Sequence, residues 1–129
     1  MSRPVPLIDE QSRPYWDAAR EHRLVLQRCG ACGRWLFYAR ALCPWCHAAG
    51  LTWEPASGRG VVYSFTVVHR AASEAFTAPY VVVLVDLDEG PRMLSMLRVD
   101  DPRRATIGAR VHVAFEDLDE VTLPVFELA

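Results

Sequence analysis

Cys29-Gly30-Ala31-Cys32-Gly33 and Cys43-Pro44-Trp45-Cys46 hold all four cysteines of this chain, as two Cys-x-x-Cys pairs with ten residues between them. Four thiolates carried on two tight turns make a tetrahedral soft-ligand set, which suits zinc or a single iron. Gly33 after the first pair and Pro44 inside the second fit turns whose backbone N–H groups point at sulfur. The short gap requires a compact hairpin between the pairs. Two other readings of the same residues stay open. A redox dithiol usually opens a helix after a strand and does not come twice. A pair of disulfides needs an oxidising compartment. The N-terminal stretch MSRPVPLIDE has no apolar signal run, so the expectation is a cytoplasmic chain with reduced thiols. Zinc is preferred to iron, and a closed four-Cys site leaves no coordination position for chemistry.

Working outward on the N-terminal side, Asp9 to His22 reads as a short helix. Ser12 is its expected N-cap, Pro14 fits the first turn, and His22 closes it near the negative end of the dipole. Tyr15, Trp16 and Ala19, with Leu24, fall on one face. Leu24 to Gln27 then runs as a strand into the first pair, and Trp35-Leu36-Phe37-Tyr38 returns as an aromatic strand toward the second.

On the C-terminal side the texture changes at Thr52. β-branched and aromatic stretches alternate with turn signals. Strands are expected over Gly60–His69, Tyr80–Asp88, Arg92–Val99, Arg110–Glu116 and Thr122–Leu128. The second carries an unbroken Val-Val-Val-Leu-Val run that suggests burial on both faces. Five short strands closing on themselves point to a small Greek-key barrel of the OB type, with an SH3-like barrel as the alternative. The expected division is therefore an N-terminal helix over 1–23, a metal ribbon over 24–51 and the barrel over 52–129. Ala71 to Ala78 is the one loop long enough to act as an arm.

Composition limits the function. At 129 residues and 51% hydrophobic, the chain can bury one real core. No apolar run is long enough to span a membrane. The net charge is −2 with basic residues spread along the chain, which argues against a sequence-independent nucleic-acid grip. All 14 basic residues are Arg, so Schiff-base chemistry on a lysine is excluded. No Ser–His–Asp or Cys–His set stands out, and the cysteines are committed to metal. His47 follows Cys46 and is a spare ligand candidate. The acidic run Glu116 to Glu120 lacks the ligand alternation of a calcium loop and reads as a turn.

The order of these motifs is more specific than any one of them. The Cys pairs are followed by Trp53, by Ser57-Gly58-Arg59-Gly60-Val61-Val62-Tyr63-Ser64, by Pro79-Tyr80-Val81-Val82-Val83 and by Leu87-Asp88-Glu89-Gly90-Pro91-Arg92. Ile107-Gly108 and Pro124-Val125-Phe126 close the pattern. Over nearly its whole length the chain resembles the acyl-CoA-associated family that joins a rubredoxin-like zinc ribbon to an OB-fold, the DUF35 family. That resemblance implies a mainly β fold: an N-terminal helix and zinc ribbon followed by a five-stranded OB barrel. It implies structural zinc on Cys29, Cys32, Cys43 and Cys46.

It also implies a non-catalytic subunit of a hetero-oligomer, paired with a thiolase-superfamily enzyme. Such partners include thiolases, acyltransferases and a retro-aldolase acting on steroid side chains. Other members accompany hot-dog-fold enoyl-CoA hydratases. The partner supplies nucleophile and base, and the small subunit stabilises it and helps enclose the acyl-CoA. Arg40, Arg59 and Arg92 are then candidates for a CoA phosphate or a partner carboxylate. Phe76 and Tyr80, with part of the tryptophan-rich first half, are candidates for the partner surface. The competing readings are a rubredoxin-like electron carrier and a nucleic-acid module, the second opposed by charge.

Overall fold

The computed structural model describes residues 6–71 and 73–129. The expectations on the first five residues, and on Ala72 within the 71–78 loop, lie outside the described residues.

Helix α1 spans Arg13–Arg20, four residues shorter at its start than the sequence suggests. The cause is Asp9. Its carboxylate accepts from the Ser12 N–H (2.8 Å) and the Ser12 hydroxyl (2.7 Å), closing a turn before the helix. Ser12 holds the N-cap position, but its hydroxyl is committed to Asp9 and gives the helix no side-chain cap. The other end is a Schellman closure. The His22 N–H donates to Ala19 O (2.8 Å) and the Arg23 N–H to Ala18 O (2.9 Å), with His22 left-handed at φ 59°.

Three strands follow in one antiparallel sheet: β1 (Val25–Cys29), β2 (Trp35–Leu36) and β3 (Leu51–Pro55), ordered β2-β1-β3. The aromatic strand is cut to two residues, and Phe37 and Tyr38 turn back toward α1. There the Trp16 Nε1–H donates to the Tyr38 hydroxyl at 2.7 Å. Tyr15 sets its ring edge-on to Trp16, Phe37 and Tyr38. The stretch from Thr52 to Pro55 pairs with β1 from Arg28 back to Val25, extending the ribbon sheet.

The remaining strands are β4 (Arg59–Val68), β5 (Tyr80–Leu87), β6 (Arg92–Arg98), β7 (Arg110–Asp117) and β8 (Thr122–Leu128). They close a barrel in the order β4-β5-β6-β8-β7, with β7 returning to β4. All pairs are antiparallel except β6–β8. That single parallel contact, reached by a crossover, is the OB topology. β4 serves two neighbours, β7 through Arg59–Val61 and β5 through Gly60–Val68. A bulge between Val62 and Ser64 lets it bend from one to the other. Gly60 sits at the crossing, where a Cβ would collide with the carbonyl of Asp86.

The valine run on β5 is buried on one face only. Val81, Val83, Val85 and Leu87 are buried, and Val82, Leu84 and Asp86 between them are half-buried. A closed barrel has one interior, so alternation replaces two-sided burial. Phe126 fills the centre, fully buried beside Met93, Val62 and Val111. Tyr15, Leu24 and Leu26 belong to this same cluster, and Trp35, Phe37 and Trp53 pack against it. The helix and the base of the ribbon therefore share one core with the barrel. Cys29, Leu36 and Cys43 form a second small cluster at the ribbon tip.

Candidate functional site

Two matching turns build the metal site. In the first, the Gly33 N–H donates to Cys29 O and the Cys29 N–H to Arg34 O, both at 2.9 Å. In the second, the His47 N–H donates to Cys43 O and the Cys43 N–H to Ala48 O, again at 2.9 Å. Gly33 (φ 78°) and His47 (φ 64°) occupy the same left-handed position in each turn. His47 is therefore a turn residue, standing where the first knuckle has glycine, and not a fifth donor. The ribbon sheet and the Gln27–Arg40 contact bring the turns face to face.

All four Sγ atoms lie within 4.8 Å of one another, with Cys29–Cys46 at 3.5 Å and Cys32–Cys43 at 3.6 Å. A tetrahedron with metal–sulfur bonds of about 2.3 Å has sulfur–sulfur edges of about 3.8 Å, so the cluster needs little adjustment to close on a metal. Cys29 and Cys43 are buried, and Cys32 and Cys46 face solvent. The Cys32 N–H, 3.4 Å from Cys29 Sγ, stabilises the thiolate and draws the Cys29 thiol down to about 6. Four clustered cysteines without disulfide bonds, two of them buried, are the donor set of a structural metal site.

The arginine and aromatic candidates divide between separate places. Arg59 and Arg92 start β4 and β6 at one end of the barrel, and Phe76 and Tyr80 lie at the other end of the β4–β5 ladder. The Arg92 guanidinium is already engaged: its Cζ lies 3.4 Å from the Tyr63 ring centroid, and Nε donates to Asp86 at 2.6 Å. Those contacts, the Asp86 hydrogen bond first, raise its pKa further. Arg59 is only loosely held, 3.9 Å from Asp88, which also accepts from Arg110. Phe76 and Tyr80 pack together with centroids 5.6 Å apart. Arg40 stands apart on the ribbon, its backbone fixed by Gln27 and its side chain exposed.

Sequence reading missed Gln27, whose role depends on a contact 13 residues away. It also missed the cleft of about 450 Å³ where the first knuckle and Trp45 face the Glu89-Gly90-Pro91 turn. Three of the tryptophans pack on the core, and Trp45 remains half exposed.

A ribbon of this kind, docked on an OB barrel, defines a class of two-part proteins whose metal is architectural. Two family models match the chain: the ChsH2 rubredoxin-like zinc ribbon domain over residues 16–52, and the ChsH2 C-terminal OB-fold domain over 53–116. A DUF35 domain-containing scaffold protein of Methanothermobacter thermautotrophicus is 32% identical, over 88% of this chain and 87% of its own length. The chain belongs to this DUF35, ChsH2-type family.

Other relatives are longer. A probable enoyl-CoA hydratase alpha subunit of Thermomonospora curvata is 39% identical over 98% of this chain. The 3-oxo-4,17-pregnadiene-20-carboxyl-CoA hydratase alpha subunit of Mycobacterium tuberculosis is 36% identical over 88%. The chain spans only 40% and 36% of their respective lengths. Among solved structures, the Ltp2-ChsH2(DUF35) aldolase matches with a TM-score of 0.88 and 37% identity, over 96% of this chain and 98% of that one.

Proposed function

We propose that this chain is a zinc-loaded, non-catalytic subunit of an acyl-CoA enzyme of the thiolase superfamily. It stabilises that enzyme and helps enclose the acyl-CoA. The observation that carries the reading is the match, over almost the full length of both chains, to the DUF35 chain of an aldolase assembly. The closed four-Cys site agrees with it, because such a metal holds a surface in shape and leaves no position for substrate. Zinc fits the site, being redox-inert and at home with four thiolates. Relatives named as scaffold proteins support the non-catalytic role. The pregnadiene-carboxyl-CoA relative supports a steroid side chain as the acyl group. Arg40, Arg59 and Arg92 are proposed contacts to CoA phosphate or partner, with Phe76 and Tyr80 at the partner surface.

A second reading is favoured by the longer relatives: the chain serves an enoyl-CoA hydratase of the hot-dog fold. One experiment addresses both. The acyl-CoA enzymes encoded beside this chain are each expressed with and without it, and turnover of their acyl-CoA substrates is measured. The proposal expects one thiolase-superfamily enzyme to be soluble and fully active only with the chain, and the chain alone to turn over nothing. Rescue of a hydratase instead selects the second reading. Turnover by the isolated chain overturns both.

A further inference from the structure

From Arg23 to Trp53 the chain holds four arginines and no Asp or Glu, a formal +4 in a chain whose total is −2. The remainder therefore carries −6, and even a filled four-thiolate zinc site, itself −2, leaves the ribbon cationic. Two of the four arginines are neutralised: Arg23 meets Glu21 at 2.7 Å and Arg28 meets Glu54 at 3.9 Å. Among the described residues, no carboxylate pairs with Arg34 or Arg40.

Arg34 sits against exposed apolar surface, and Arg40 is exposed on the loop between the Cys pairs. The Arg34 guanidinium lies over the Trp45 ring, 5.2 Å from its centroid. Trp45 and Leu42 are each 51% exposed, on the turn and the loop that carry the second Cys pair. Arg34 and Trp45 form one wall of the cleft whose other wall is the Glu89-Gly90-Pro91 turn. The one carboxylate in that lining, Glu89, is already held by the Ser57 N–H (2.7 Å) and hydroxyl. Trp and Arg together at a rigid, desolvatable position are the composition of an interface hot spot, and unpaired arginines select an acidic counterpart.

We infer that the ribbon surface built on Arg34 and Trp45, with Arg40 and Leu42 on the adjoining loop, is where an acidic patch of a globular partner protein docks. The inference rests on the proposed role as an enzyme subunit and adds where, and to what chemistry, the chain attaches. The metal fixes the tip in shape before contact, which lowers the ordering cost of binding.

The test uses the complex with the co-expressed acyl-CoA enzyme. Its dissociation constant is measured at low and at moderate salt for the parent chain and for Arg34→Glu, Arg40→Glu, Trp45→Ala and a control on the barrel side, Arg104→Glu, whose side chain is exposed and pairs only with the neighbouring Asp100 among the described residues. Metal content is checked in each to show that the ribbon is intact. The inference expects Trp45→Ala and Arg34→Glu to weaken binding about tenfold or more, with Arg40→Glu acting in the same direction. The charge effect shrinks as salt rises, and Arg104→Glu stays near parent affinity. Parent-like affinity of the tip variants overturns the inference and leaves the proposed function standing. Absence of any complex with the parent chain overturns both. Two further outcomes also overturn it: loss of binding to free CoA with enzyme binding unchanged, and self-association of the parent chain that Trp45→Ala abolishes.

Discussion

The side-chain amide of Gln27 grips the backbone of Arg40 at both ends. Its Oε1 accepts from the Arg40 N–H at 2.7 Å, and its Nε2 donates to the Arg40 carbonyl at 2.9 Å. Gln27 is buried in the middle of β1, so one side chain pins the loop between the Cys pairs to the strand that shares the barrel core. Gln27→Ala removes both bonds and leaves a gap beneath the loop. Two hydrogen bonds at about 1 kcal/mol each give an expected loss of about 2 kcal/mol. Urea unfolding of the metal-loaded protein measures it.

The left-handed turn at His47 makes an opposite prediction. A residue with a Cβ is strained at φ 64°, and the equivalent position in the other knuckle is Gly33. His47→Gly should leave the metal in place and be neutral or stabilising by up to about 1 kcal/mol. Loss of metal in that variant would make the imidazole a ligand after all. Thermal unfolding with a metal assay separates the outcomes.

Gly60 is a tight point of the barrel. A methyl group there meets the Asp86 carbonyl and a methyl of Val85, both held by the β4–β5 ladder. Gly60→Ala should cost about 2 kcal/mol or more, because backbone must move. Gly50→Ala, with nothing within 4 Å of the new Cβ, should be mild and serves as the control.

Acid should loosen the helix from the barrel. The Thr122 hydroxyl (2.6 Å) and the His22 imidazole (3.0 Å) hold the Asp117 carboxyl below the usual carboxylate range. A carboxyl lowered on folding adds stability above its unfolded pKa, about 3.9, and that contribution is lost as pH falls through the folded value. Asp117→Asn should therefore be less stable than the parent at pH 7, with the gap closing below about pH 4. Melting temperatures of both proteins across that range are the check.

Metal removal should unravel the tip before the barrel. Leu24 and Leu26 lie in the barrel's cluster, whereas Cys29, Leu36 and Cys43 form a separate small cluster against which Ala48 and Leu51 pack. Chelation, or Cys43→Ser, takes away a binding energy on the order of ten kcal/mol from a segment with little core of its own. Hydrogen exchange should accelerate over residues 29 to 50 and stay slow in β5 and β8.

Much of this architecture was legible in the residues, and the exceptions have physical causes. The Cys spacing located both knuckles, because thiolate pairs have one common use in reduced chains. Alternation and turn residues located all five barrel strands, because a closed sheet imposes period two. The valine-rich run misled, since an unbroken aliphatic stretch hides that alternation. Helix α1 started late because Asp9 competes locally for Ser12. Contacts such as Gln27–Arg40 and Trp16–Tyr38 join residues 13 and 22 positions apart, and local pattern carries no signal for them. The carboxylate-free stretch between Glu21 and Glu54 was readable, but its meaning depended on which arginines the fold leaves unpaired.

The central claim is that this chain is a metal-stabilised partner of an acyl-CoA enzyme. Native mass spectrometry of the tagged chain, purified with its co-expressed neighbours, tests it most directly. The account predicts a stoichiometric complex with a thiolase-superfamily enzyme, carrying one zinc for each copy of this chain. A solitary chain holding a single iron, red in air and reversibly bleached by reduction, would contradict it and make the protein an electron carrier.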